Sequence, residues 1–415
     1  GGNFMRSTFM GLEASKRGLF AQQSALYTTG HNISNANTDG YSRQRVNMTP
    51  SLGYPGIGVN APKTAGFIGT GVEATSVERI RDQFVDTQYR QETTKLGYWA
   101  AKSQTITQVE DILNEPSDYG LAEALNEFWN SLQDLNVNPK DGGARAVVVQ
   151  RAIAVADSFH YMHNSIQQIK ENTGAEIGIL LTDANSILKQ IAELNYQIQA
   201  VEPNGYMPND LYDTRDRLID QLSTYFPVEV SYTKSGGNAL PIAEGSVTIT
   251  LKVNGQDVKL VEGIKNAVLS NDGTADDGVT PSVAVTGLVV TGIENPAVTI
   301  DIDQFNNVGK YKSLVDSYGY VSTDGEKGFL PEMLKKLDDL ASAFAKAFNE
   351  IHGQGTDLTG TKGQDFFIGE TDPDTNEKIF TAGNISVSEN IIKDPNLIAA
   401  SDSEQELNPD GTVNS

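Results

Sequence analysis

His160 and His163 stand three residues apart in a helical stretch, with Asp157 just before them, a spacing that could put metal-binding groups on one helix face. The ligand set does not assemble. Zinc usually takes a third protein ligand, Phe159 and Met162 occupy the apolar seam beside the pair, and the order HExxH is absent. Both are therefore expected to be surface histidines. Asp213, Arg215, Asp216 and Arg217 alternate in sign, with Asp213 and Arg217 in the favourable i,i+4 order, and are expected to form a solvated helix face. The loop 271–278 (NDGTADDG) gathers acids and glycine but lacks the ordered DxDxDG run and closing Glu of a calcium loop. GxSxG, a P-loop and GxGxxG after a strand are all missing, and four histidines without cysteine leave little for nucleophilic catalysis. No catalytic residue, cofactor or metal site is expected, so the chain reads as a non-enzyme.

The bulk composition fits that reading. At 415 residues, with 38% apolar and 20% charged residues, the chain can bury a large core, and two to four domains are expected. The net charge of −23, from 54 acidic against 31 basic residues, would repel a polyphosphate, so nucleic acid is not an expected partner. Cysteine is absent, which removes disulfides and thiolate chemistry together. No run approaches the apolar length of a membrane span, and the first residues lack the apolar core and cleavage site of a secretory signal, so neither membrane insertion nor a cleaved signal peptide is expected. Gly1 to Phe4, ahead of Met5, read as an added leader.

The elements that would position any site are mostly helical. Met5, Leu12, Leu19, Leu26 and Ile33 recur every seven positions beside a small-residue row of Gly11, Gly18 and Ala25, a surface that lets another helix approach closely. Taken alone, one such helix packs on its own domain. Gly and Pro then crowd 42–71, which predicts loop or short strands. Leu121, Leu125, Phe128, Leu132 and Leu135 return to helical spacing, closed by a turn at 138–143 (NPKDGG). The most regular seam follows: Val148, Ala152, Val155, Phe159, Met162, Ile166 and Ile169, then Leu180, Ala184, Ile187, Ile191, Leu194, Ile198 and Val201. Its phase slips near Thr173 and Gly174, leaving open one long helix or two.

After Pro227 the period becomes two at Val228, Val230 and Tyr232 and at Val247, Ile249, Leu251 and Val253, and Asn254-Gly255 predicts a hairpin into Val258 and Leu260. More strand text follows at 283–290 and 298–302. Leu330, Met333, Leu337, Leu340, Phe344, Ala347 and Ile351 resume a heptad helix. The expected fold is α+β and multidomain: an elongated, coiled-coil-like helical body carrying an inserted β-rich domain. The expected layout is an N-terminal helix and turn at 1–41, a connector at 42–90, the helical domain at 91–227 and 306–400, the β-rich insertion at 228–305 and a polar tail at 401–415.

The segment 32–44 (NISNANTDGYSRQ) follows the first heptad helix. Its Asn and Asp side chains suit chain reversal, and Gly40 gives a free φ before Tyr41 and Arg43, so physically it is a helix C-terminal turn. It also resembles the signature shared by flagellar axial proteins of the rod, the hook and the hook-associated group, with Ile33, Asn35, Asn37, Thr38, Gly40 and Tyr41 on matching positions. Segments 71–82 (GVEATSVERIRD), 209–222 (NDLYDTRDRLIDQL), 337–367 and 384–400, with ISVSENI and DPNLIAA, resemble the hook-associated protein 1 family in particular. Only the β-rich insertion carries no recognisable likeness.

The resemblance implies a structural subunit at the hook–filament junction, with Leu12, Leu19, Leu26, Ile33, Asn35, Asn37, Thr38, Gly40 and Tyr41 as its axial-core assembly surface. It implies partners too: further copies of the chain, the hook protein, the adjacent hook-associated protein and a flagellar export chaperone, with secretion through the flagellar type III apparatus. Family members end in a further helix that pairs with the N-terminal one, and nothing after Ala400 supplies it, so the chain is expected to be truncated with its first helix uncovered. Two rival expectations remain: the hook protein itself, or a secreted adhesin or hydrolase whose β-rich domain rides on an axial anchor.

Overall fold

The computed structural model describes residues 8–54, 69–113, 120–272, 279–293 and 296–401. Met5, the acidic stretch 273–278 and all of the expected tail at 401–415 except Ser401 lie outside them. In chain order the main elements are α1 (Thr8–Ser34), β1 (Gln44–Pro50), β2 (Val72–Arg79), α2 (Gln83–Leu113), α3 (Leu121–Val137), α4 (Gly142–Val201), α5 (Asn209–Tyr225), β3 (Val228–Thr233), β4 (Ser246–Val253), β5 (Gln256–Glu262), β6 (Lys265–Asn266), β7 (Val268–Asn271), β8 (Gly287–Thr291), β9 (Val298–Asp301), α6 (Lys310–Tyr318), β10 (Tyr320–Ser322), β11 (Gly325–Lys327) and α7 (Phe329–Gln354). Short strand pairs and the small helix Glu389–Lys393 complete the chain. This is the expected α+β mixture of long helices and small sheets. It divides into two compact units, one of residues 1–98, 180–270 and 287–310, the other of 99–179, 271–286 and 311–415, so both α2 and α4 are shared between them.

In the second unit, α3, α4 and α7 bury one continuous core. Val148, Ala152, Val155, Phe159 and Ile166 from the α4 seam meet Phe128 and Leu135 of α3 and Leu330, Leu337, Ala341 and Ala345 of α7. Phe128, Phe344, Phe348, Phe366 and Phe367 stack edge to face at its centre, the last pair 5.0 Å apart. The phase slip at Thr173 and Gly174 breaks nothing: α4 is a single helix of 60 residues. Gly174 instead makes room for the Tyr318 ring, whose edge would lie 2.8 Å from any Cβ placed there. The heptad row expected along α7 is corrected in its second half. Leu340 is half exposed and Ile351 72% exposed, while Ala341, Ala345 and His352 are buried. A straight helix drifts by about 20° per heptad, so its buried face moves off a strict seven-residue row.

The histidine pair is also corrected. His160 and His163 are half-buried, with His163 lying against Gly383 and with ring nitrogens His160 Nε2 and His163 Nδ1 enclosed. Apolar seam residues on either side draw the ring faces inward. Among the described residues, no three His, Cys, Asp or Glu side chains are grouped to hold a metal.

In the first unit, β3, β4, β5 and β6 form an antiparallel sheet in that order. Val228, Val230 and Tyr232 pair with Leu251, Ile249 and Val247, and the β4–β5 hairpin turns at Asn254-Gly255, where Gly255 has φ +82°. The sheet is fastened to α4 by one fully buried amide: Asn195 Oδ1 accepts Val247 N–H at 3.0 Å, and its Nδ2 donates to Val247 O and Gly263 O at 2.9 and 2.7 Å. Asn185, further up α4, clasps Leu269 in the same two-bond manner.

A helix-presented apolar row and the ionic cluster behind it

Helix α1 packs on the β1–β2 hairpin through Ala21 and Thr28, which are buried, and through half-buried Ala14 and Arg17. Gly71, at φ +116°, lets the hairpin approach closely, since a Cβ there would sit 3.2 Å from Ala14 O. The apolar heptad row lies about 200° around the helix from this contact, two residues at 100° each. Leu12, Leu19, Leu26 and Ile33 are accordingly 66%, 67%, 72% and 73% exposed, and Phe9 and Tyr27 stand out with them.

The turn that follows is built from its polar side chains. Asn35 Nδ2 donates to His31 O at 3.0 Å, Thr38 N–H to Asn35 O at 3.0 Å, and Tyr41 N–H to Thr38 O at 3.2 Å. Gly40 takes φ +76° with the stem of Arg217 directly beneath it. Asn37 is exposed. The expected residues thus fall into two groups, an open apolar row and a self-bonded turn. Two residues of the junction escape sequence reasoning. Asn32 accepts Gln44 N–H and Tyr41 O–H, each at 2.8 Å, and returns Nδ2–H to Gln44 O, while His31 Nδ1 lies 2.9 Å from the Tyr41 hydroxyl. Burial beside Asp213 and Asp210 holds the Tyr41 hydroxyl above its ordinary range, so it remains a donor at neutral pH.

The expected solvated face at 213–217 is overturned. Arg215 and Asp216 are buried, Asp213 nearly so, and only Arg217 faces water. Asp213 reaches Arg79 at 2.7 Å, not Arg217, and Asp216 meets Arg79 at 2.8 Å and Arg90 at 3.3 Å. Arg90 also holds Asp220 at 2.7 Å, Arg81 holds Asp86 at 2.6 Å, and Glu244 bridges Arg79 and Arg215. Burial opposes the charge on Asp216, but Arg79, Arg81, Arg90 and Arg215 outweigh it and keep its carboxyl below the usual range. Burial likewise opposes Arg79, yet Glu244 and Asp216 raise it further above neutrality. Beneath them Tyr212 donates its O–H to buried Glu202, whose Oε1 also accepts Gly245 N–H at 2.9 Å. A local charge pattern cannot reveal such burial, because Arg79 and Arg90 lie more than a hundred residues from Asp213 and Asp216, and Glu244 lies 29 residues from Arg215.

The cluster therefore joins 71–82 to 209–222, two of the segments whose text carries the family resemblance. Among the described residues the site thus consists of an exposed apolar helix row, a self-bonded turn and an ionic cluster behind them. Residues 12–41 match the family described as flagella basal body rod protein, so the N-terminal segment is similar to a flagellar family. Residues 106–367 match the flagellar hook-associated protein FlgK helical domain. Flagellar hook-associated protein 1 of Bacillus subtilis is 46% identical over 393 residues, covering 94% of this chain and 75% of the relative. The Salmonella typhimurium protein of that name is 30% identical, covering 84% of this chain and 58% of its own length. The flagellar hook junction protein FlgK from Burkholderia pseudomallei shares the fold at a TM-score of 0.52 with 22% identity, over 69% of this chain and 47% of that one. The chain belongs to the flagellar hook-associated protein 1 family, structural proteins of the hook–filament junction. Assembly with the hook and other flagellar components follows from that membership, and no described helix is long and apolar enough to cross a membrane.

Proposed function

We propose that the chain acts without turnover as a building block whose α1 row, Leu12, Leu19, Leu26 and Ile33, is the axial-core contact. One observation carries the reading: four large aliphatic side chains on one helix line, each about two thirds exposed or more, face away from everything α1 packs on. Burying such a side chain is worth roughly 1.5–3 kcal/mol, so the row is a strong driving force for helix–helix association. The turn residues Asn35, Asn37, Thr38, Gly40 and Tyr41 hold the helix end in the shape that neighbours meet. The partners are further copies of the chain, the hook protein on one side and the adjacent hook-associated protein on the other. Export runs through the flagellar type III apparatus with a dedicated chaperone, and the absence of cysteine suits passage as an unfolded thread.

The test is genetic and visual. Leu19→Glu with Leu26→Glu in the full-length protein should leave secretion intact and give cells that carry hooks without filaments. Normal filaments on swimming cells would sink the assignment.

A further inference from the structure

We infer that Asp213 is a positioning residue that fixes the orientation of α1 relative to α5 through the turn and hairpin that follow α1. Its carboxylate ties the N-terminal segment at both the turn and the hairpin. Oδ2 accepts the backbone N–H of Ser42 at 3.1 Å, immediately after the signature turn, and Oδ1 accepts Arg79 Nη1 at 2.7 Å, at the end of β2. Neighbours on the same helix face complete the seat. Asn209, one turn earlier, donates Nδ2–H to Val77 O at 2.8 Å, and Arg217, one turn later, supports Gly40, where a Cβ would meet its stem at 3.4 Å. Because α1 packs on β1 and β2, whatever holds the turn and the hairpin also orients α1. Arg81 adds a weaker tie to Ser42 Oγ at 3.4 Å.

The charge arithmetic assigns Asp213 to positioning and not to fold maintenance. Arg79 keeps Asp216 and Glu244 when Asp213 is lost, so no arginine is stranded in the cluster. What disappears is the acceptor for Ser42. The importance of this tether for assembly rests on the reading of α1 given above, while the tether itself does not.

The chain has no cysteine, so spin labels at Gln23→Cys and Gln199→Cys, both exposed, report the α1-to-body distance in the otherwise unaltered full chain. The parent should give one narrow separation. Asp213→Ala should lose it to a broad distribution and remove hydrogen-exchange protection at the Ser42 amide, with helix content unchanged. Asp213→Asn leaves one acceptor oxygen for two donors, Ser42 N–H and Arg79, and should broaden the separation less than Asp213→Ala. A narrow distribution in Asp213→Ala, or one equally broad in Asp213→Asn, would overturn the proposal. If Asp213→Ala does not fold, Ser42→Pro removes the donor without touching a charge and must broaden the separation in its place. A tether confirmed in this way beside normal filaments in the Leu19→Glu, Leu26→Glu strain would remove the assembly reading alone.

Discussion

Side-chain amides do the work of strand edges throughout this protein. An Asn amide presents an N–H and a C=O side by side, the pair that a backbone residue needs, with a second N–H to spare. Asn32 uses it on Gln44, Asn185 on Leu269, Asn195 on Val247, and Asn349 on Phe367, each from a helix to an extended segment. Helices have no free edge, so these clasps are how they hold strands they cannot pair with. His352 plays a related part in the second unit. Its Nδ1–H donates to Gln364 O at 2.6 Å and its Nε2 accepts Ala399 N–H at 2.9 Å, an arrangement only the neutral ring can make. Burial pushes its pKa below the ordinary value, against smaller opposing effects from Gln364 and the acids nearby. A depressed pKa means the stability is complete above the unfolded histidine value of about 6.5 and is lost as pH falls through the folded one. The protection factor of the Ala399 amide, its exchange relative to a free peptide at the same pH, should therefore fall between pH 7 and pH 5, and His352→Gln should flatten that dependence. Equal protection at both pH values would remove the role.

Helix crossings depend on glycines that sequence periodicity treats as interruptions. Gly97 of α2 lies so close to α5 that a Cβ would fall 2.3 Å from Thr224 O, and Thr94 one turn earlier donates its hydroxyl to Ser223 O at 2.6 Å. Gly97→Ala should cost about 1–3 kcal/mol of unfolding free energy in urea titration, because the clash is with backbone and not with a flexible side-chain end. Gly11→Ala meets nothing within 4 Å and should stabilise α1 slightly by propensity. The contrast between the two substitutions is the check: similar effects would mean the crossing is not tight. The long seams were legible in the text, since the expected row from Val148 to Ile166 and from Leu180 to Ile198 is buried except at half-buried Met162 and Leu194. The half of α7 where the buried face departs from the heptad was not, because period 3.5 and period 3.6 differ by too little to separate over a few turns.

For the whole molecule, the net charge of −23 opposes association while the α1 row favours it. Raising ionic strength screens the first and leaves the second. The weight-average mass in sedimentation should accordingly rise with salt and concentration, and Leu19→Glu with Leu26→Glu should hold it at the monomer value. A salt-insensitive monomer in the parent chain would count against the row as a contact. The sequence by itself determined the element types, the β4–β5 turn, the α4 seam and the family, because propensity, period and motif act over a few residues. Only the tertiary structure decided that the Arg79, Asp213, Arg215 and Asp216 side chains lie inside, while the open α1 row agrees with what the family resemblance leads one to expect. Burial of a charge depends on partners distant along the chain, and burial of an apolar row depends on whether any surface of the fold is shaped to receive it.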